Sequence, residues 1–368
     1  MRLSPRRSNC FPLHSNLAAE LQLLEPRTLP AGTVTASISG QNVTIDGDNF
    51  PNSIRISVRT DGVYLMGLLA SDENSDTNIR FAGVTTSSGK EIRLVKTPRL
   101  GDLTILMRGG NDSVRIDVGV AAGDKPAAVI AGRLQINLGS GNDNAALVLN
   151  NGTLKITGNL EGDLENGNDG LLVGTTQLLS DPDAEIPKTI PITVGGNVMI
   201  LGRSGVDLIG LAGINVTQSA ILQGGDHRDS LTLTGVTLGG NLSLSGEGGD
   251  DDVVLKAVKV AGTTTVLGGR GNDQVVITSL NATKNVSVLL ESGDDQLAVG
   301  ALTLTKMTKV TLVGGGGFDE LMLESELTNP PVKVLGFEDI AATIDAKTIL
   351  AEANDRVAEC LIVTLPLI

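Results

Sequence analysis

The residues best placed to do chemistry in this chain are aspartates. Asp207, Asp229, Asp251, Asp273 and Asp295 follow one another every 22 residues, and Asp319 comes 24 residues later. Upstream, Asp112, Asp143 and Asp169 extend the series with steps of 31, 26 and 38 residues. Carboxylates repeated at one position can coordinate a hard cation. They can equally accept local backbone N–H bonds in turns, with no ion required. If the repeats stack, carboxylates ~4.8 Å apart repel by about 1 kcal/mol per neighbour even in water. A divalent cation relieves that repulsion. Asp251, Asp273, Asp295 and Asp319 are therefore the candidate calcium ligands, with ordinary Asx turns as the competing reading.

Other chemistries have less to work with. His14 and His227 are the only histidines, which leaves Ser/His/Asp or Cys/His catalysis almost no base. His227 itself reads as a loop residue. Aromatics make up 2% of the chain and Trp is absent, so no stacking platform for bases or sugars is expected. A net charge of -14 argues against nucleic acid as a partner. Arg203, Arg228 and Arg270 share an edge with the aspartates, the mixture that a carbohydrate-active lyase or hydrolase uses. Residues 195–304 lack the insertions and aromatics from which such a cleft is built. No catalytic residue is assigned. Cys10 and Cys360 define no disulfide framework, and no apolar run is long enough to span a membrane.

The aspartates must be positioned by what repeats around them. Two and four residues after each come Ile209/Leu211, Leu231/Leu233, Val253/Leu255, Val275/Ile277 and Leu297/Val299. Seven and nine after come Ile214/Val216, Val236/Leu238, Val258/Val260, Leu280/Ala282 and Leu302/Leu304. Nine and seven before come Val198/Ile200, Ala220/Leu222, Leu242/Leu244, Thr264/Val266 and Val286/Val288. Each pair has the strand period of two, giving three short strands per repeat with one face inward. A unit of this size cannot bury that face alone, but it can by stacking. The expected fold is all-β, a right-handed parallel β-helix of three-strand coils. Ten residues before each Asp, Asn197, Ser219, Asn241, Thr263 and Asn285 form a second polar column suited to bonding between coils.

The ends depart from this register. Residues 1–32 form a basic leader or disordered segment, and 33–100 alternate like strands without the repeat, as irregular coils or a capping layer would. Residues 101–338 are the β-helix proper, with a last strand at 331–338. Residues 339–368 are expected to form a cap, in which Ile340, Ile344, Ile349, Leu350, Ala353 and Val357 mark an amphipathic helix over about 340–360. The longer spacings place extra residues around 119–130, 150–152 and 178–194, all after the second strand. They are expected to emerge at one corner as a single mobile lobe.

Two segments carry resemblances. Gly268–Val276 and Gly314–Met322 match the nonapeptide G-G-x-G-x-D-x-U-x and resemble the loops of RTX proteins, which implies calcium held between turns. Here there is one such loop per repeat, whereas RTX arrays run them in tandem. Leu24-Glu25-Pro26-Arg27-Thr28-Leu29-Pro30-Ala31-Gly32 resembles the leader element of many large exported proteins of planctomycete bacteria. With the repeat and the lack of catalytic residues, the leader resemblance points to an exported, non-catalytic solenoid, structural or adhesive, expected to be monomeric. It would act at the cell surface or outside the cell, with a surface or matrix polysaccharide or protein as partner and calcium as a stabilising ion. A carbohydrate-active β-helix enzyme is the alternative.

Overall fold

In the computed structural model of the chain, residues 32–69, 76–120, 123–180, 185–305, 308–323 and 332–342 are described. They form a parallel β-helix. The strand-period pairs lie where the repeat puts them. One coil runs through Leu242–Gly248, Asp252–Lys256 and Val258–Val260, and the next through Thr264–Arg270 and the long bent strand Gln274–Ala282. Successive coils pair in parallel without slippage: Leu244 meets Val266, Val253 meets Val275, and Val258 meets Leu280. A one-residue slip would turn every inward aliphatic to solvent, so the buried face enforces the register.

The core is one continuous column. Ile209, Leu231, Val253, Val275 and Leu297 are each fully buried, as are Leu222, Leu244, Val266 and Val288 on the first face. No coil could hold itself closed against the entropy of ordering its residues. Each coil is stable because two neighbours complete its apolar contacts.

The first coils are closed by antiparallel pairing. Gly32–Ser39 forms a hairpin with Asn42–Asp46, and Ser53–Arg59 pairs with Gly62–Gly67, which pairs in turn with Glu91–Val95. The solenoid grows from this layer, because Asn42–Asp46 and Ser53–Arg59 also pair in parallel with Leu103–Leu106 and Ser113–Val118. An open parallel edge is thereby covered.

Two expectations change. The start of the proposed terminal helix is a strand, Asp339–Ala342, which continues the second face by pairing with Glu320–Leu323. Ile340 belongs to that strand and is exposed. The remainder of that expected helix lies outside the described residues, as does the leader. The insertions do leave the coil between its second and third strands, but the largest is packed down onto the solenoid. Its short helix α1 (Thr176–Ser180) lays Leu178 and Leu179 over Ala146, Leu172, Leu208 and Ala212, with Ile186 alongside. Apolar residues on the outer face of those coils supply the seat.

Candidate functional site

The aspartate column runs along the corner between the first and second strands of each coil. There the carboxylates do not face solvent. Asp112, Asp143, Asp169, Asp207, Asp229, Asp251, Asp273, Asp295 and Asp319 are all buried, none more than 3% exposed. Each reaches back to the coil before it. The N–H of Asp251 donates to Oδ1 of Asp273 at 2.9 Å, and that of Asp273 donates to Oδ1 of Asp295 at 2.7 Å. The same bond joins every consecutive pair from Asp112 to Asp319. The ladder opens with the N–H of Asn52 on Asp112 and closes with that of Asp319 on Glu338. Each rung uses one N–H that the turn would otherwise leave unpaired, and such a bond contributes about 0.5–1.5 kcal/mol to a neutral carboxyl and about 1.5–3 kcal/mol to an ionised one.

A second ladder sits beside the first and points the other way. Oδ1 of Asp250 accepts the N–H of Asn272, whose own Oδ1 accepts that of Asp294, whose Oδ1 accepts that of Phe318. Asn111, Asn142 and Asn168 repeat this in the upstream coils. At the next corner the expected column forms as well: the N–H groups of Ser219, Asn241 and Thr263 donate to Asn197, Ser219 and Asn241 in turn.

The glycines of the nonapeptide now have an account that needs no ion. In Gly268-Gly269-Arg270-Gly271-Asn272-Asp273, the second and third glycines have φ of 126° and 119°, where an L side chain is strained. Gly268 serves a different purpose. A Cβ there would come 2.5 Å from Oδ2 of Asp273 and 2.6 Å from the carbonyl oxygen of Leu290. At this rung the glycine leaves room for the carboxyl to turn inward. His227 occupies the column of Gly271 and takes φ of 80°, so it is an exposed turn residue in a strained conformation.

Turning inward leaves Oδ2 of all nine aspartates buried with no hydrogen-bond partner. Burial pushes Asp112, Asp229 and Asp273 up to about 8, Asp143 and Asp169 to about 7, and Asp207, Asp251 and Asp295 to about 6. Asp319 is also raised by burial. The backbone N–H bond to each carboxyl works against that rise and does not cancel it. An ionised Oδ2 in this position is a buried charge with no donor to receive it, whereas a protonated one is neutral.

Calcium requires roughly six to eight oxygen ligands. At Asp251, Asp273, Asp295 and Asp319 one carboxylate oxygen already accepts a backbone N–H. The other is packed inside the coil, against Gly268 at Asp273 and Gly314 at Asp319. No group of three or more His, Cys, Asp or Glu arranged to hold a metal occurs among the described residues. The column fits protons and does not fit a calcium shell. Two of the three basic residues of the edge are also engaged: Arg203 binds Asp163 through two bonds of 3.0 and 2.9 Å, and Arg228 pairs with Asp252 at 2.9 Å. A pocket inside the first coils, lined by Val58, Leu100, Ile116, Val118, Ile130 and Leu147, offers no polar group to orient a substrate. No helix among the described residues is long and apolar enough to cross a membrane.

The inward turn of the carboxyls was not visible in the repeat. Its one trace in sequence is the glycine five residues before the aspartate, at Gly202, Gly224, Gly246, Gly268 and Gly314. At Asp112, Asp143, Asp169 and Asp295 that position holds Met107, Leu138, Leu164 and Leu290 instead, which hides the pattern.

Replacing one rung separates its two roles. Asp273→Ala removes the acceptor of the Asp251 N–H and should cost about 1–3 kcal/mol, with or without calcium in the buffer. Asp273→Asn keeps Oδ1 as the acceptor and carries no charge into the coil, so it should melt within about 1 kcal/mol of the parent at pH 8. Thermal melting of both variants in calcium and in EDTA checks this. Equal losses for Asn and Ala would refute the assignment of roles.

The fold and this corner together define a parallel β-solenoid with an internal aspartate ladder. Compared with known proteins, the chain matches no family model, no curated sequence and no solved structure.

Proposed function

We propose that the protein is a non-catalytic structural solenoid, a rigid spacer with an adhesive role at the cell surface or outside the cell. The observation that carries this reading is the occupation of the aspartate column. The residues whose repetition suggested chemistry are bound to backbone from one coil to the next, nine times over. A chain that commits its most regular carboxyls to joining coils is built for stiffness. The opposed ladder and the Asn/Ser/Thr column reinforce the same joints. Stacked parallel strands tied at two corners present few sites for local opening, which suits a protease-rich exterior. The partner proposed is a surface or matrix polysaccharide or protein, met by the outer faces of the coils.

The test uses the full chain. After treatment with a broad-specificity protease, the coils from about 195 to 304 should persist as an intact fragment. Incubation with a panel of acidic and neutral polysaccharides should release no new reducing ends and no unsaturated products. Antibody should label intact source cells without permeabilisation. Product release would favour the carbohydrate-active alternative, and label confined to permeabilised cells would reject a surface role.

A further inference from the structure

Two arginines on the outer face of the first coils share one carboxylate. Arg55 and Arg115 stand opposite each other in the parallel pairing of Ser53–Arg59 with Ser113–Val118. Their flanking residues Ile54, Ile56, Val114 and Ile116 lie in the core, so strand alternation turns both arginines outward. Each donates its Nε–H to the same oxygen, Oδ2 of Asp117, at 2.8 and 2.9 Å. Asp117 is fully buried, and its other oxygen accepts the side-chain amide of Asn150 at 3.2 Å. Two positive charges one rung apart therefore meet a single negative one. Other pairs on the surface are one to one, as Arg108 with Asp46 and Arg203 with Asp163.

The surplus charge is also accessible. The Arg55 and Arg115 side chains are 25% and 31% exposed, and among the described residues they donate through Nε alone. The free edge of a guanidinium fixed in this way is a fork of N–H groups that matches a carboxylate or a sulfate. Beside the pair, Asn150 and Thr176 are joined by a 2.8 Å bond and add an amide and a hydroxyl, groups that suit sugar hydroxyls. The wider charge distribution agrees. Residues 32–133 hold 11 Lys and Arg against 11 Asp and Glu, whereas 134–368 hold 13 against 29. A polyanion is repelled by most of the solenoid and meets no net repulsion at its N-terminal end.

We propose that Arg55 and Arg115 form a binding site for an acidic polysaccharide, and that their free edges take one of its carboxylate or sulfate groups. The proposal rests on the adhesive reading above and names the chemistry of its partner. Asp117 is a positioning residue, which holds both guanidiniums and leaves one of the two charges uncompensated. A glycan is favoured over a phosphorylated peptide because the groups beside the arginines are an amide and a hydroxyl.

Binding of labelled oligogalacturonate and of dextran sulfate to the purified full chain tests this, with neutral dextran as the reference. Both polyanions should bind, and neutral dextran should not. Arg55→Gln and Arg115→Gln each leave Asp117 one guanidinium, so the fold should persist. Each should weaken binding about tenfold or more, the loss expected for one charge-assisted contact. Arg203→Gln removes the same charge from a one-to-one pair on a later coil, and should change affinity less than about twofold at physiological salt. On the unaltered chain, bound oligosaccharide should protect Arg55 and Arg115, and not Arg203, from phenylglyoxal in peptide mapping. Four outcomes would each overturn the proposal: no binding of either polyanion, equal losses in all three variants, no protection at Arg55 and Arg115, or tighter binding of a phosphoserine peptide than of either glycan. Failure in this assay removes the site alone, because labelling of intact cells decides the surface reading separately.

Discussion

The protein should melt at a higher temperature at pH 5 than at pH 8.5. Most proteins gain stability as ion-paired or hydrogen-bonded carboxyls ionise; here the sign is reversed. The nine ladder aspartates are all raised by burial, eight of them to between about 6, as at Asp251, and about 8, as at Asp273, against roughly 3.9 in an unfolded chain. Between those limits the native state binds more protons than the unfolded state, so stability falls as pH rises. The contribution is complete below about pH 4, is lost progressively through the folded values, and levels off above about pH 9. A tenfold difference in one carboxyl's acidity between the folded and unfolded states corresponds to about 1.4 kcal/mol. Three rungs weakened tenfold each therefore contribute about 4 kcal/mol, a large share of ordinary domain stability. Opposing terms are smaller. The surface pairs Arg203–Asp163 and Arg108–Asp46 are lost only in stronger acid, and exposed pairs contribute about 0–1 kcal/mol each. Self-repulsion at a net charge of -14 also eases as protons bind. Calorimetry across pH 4.5–9 in low salt checks the expectation. A midpoint that rises with pH over this range would contradict it.

Leu244→Asp should abolish cooperative folding. Leu244 is 0% exposed and is held between Leu222 above and Val266 below. An aspartate at that point enters an aliphatic column with no donor to receive it, and an unpaired buried charge costs several kcal/mol. The loss also spreads, because each coil is stabilised by its neighbours and a coil that cannot close removes support from two others. Ser243→Asp on the opposite face of the same strand is the control, and should change stability by no more than about 0.5 kcal/mol. Soluble yield and the circular dichroism melt of the two variants measure the contrast. Similar melts would mean that the inward and outward faces of Leu242–Gly248 are misassigned.

Much of this architecture is legible in the sequence because strand period and coil length reinforce each other. Val253 and Leu255 alternate with period two, and the same pair returns one repeat later as Val275 and Ile277. Only a stack of parallel strands satisfies both. The turn column of Asn197, Ser219 and Asn241 was legible for the same reason: small acceptors at one corner in every coil have the next coil's N–H within reach. The direction of the aspartates was not. A glycine-rich turn ending in Asp suits a loop that offers oxygens to a cation and equally a loop that folds its carboxyl inward. The difference lies in the direction the carboxyl takes within the turn, which is a tertiary contact: at Asp273 Oδ2 lies against Gly268. At the C-terminal end, Asp339-Ile340-Ala341-Ala342 is a short apolar run that suits helix and strand alike. Pairing with Glu320–Leu323 decides it, and such pairing is a tertiary contact that local pattern does not carry.

The central claim is that the aspartate ladder is a buried, proton-holding structural element. It is tested most directly by NMR titration of the protein carrying isotope-labelled aspartate carboxyls, followed from pH 3 to 9 with and without calcium. The ladder carboxyls should titrate late, with midpoints between about 6 and about 8 at Asp207 through Asp295, and addition of calcium should leave those midpoints in place. Midpoints near 4 for the nine ladder residues, or a calcium-dependent drop at Asp251, Asp273 and Asp295, would contradict the account.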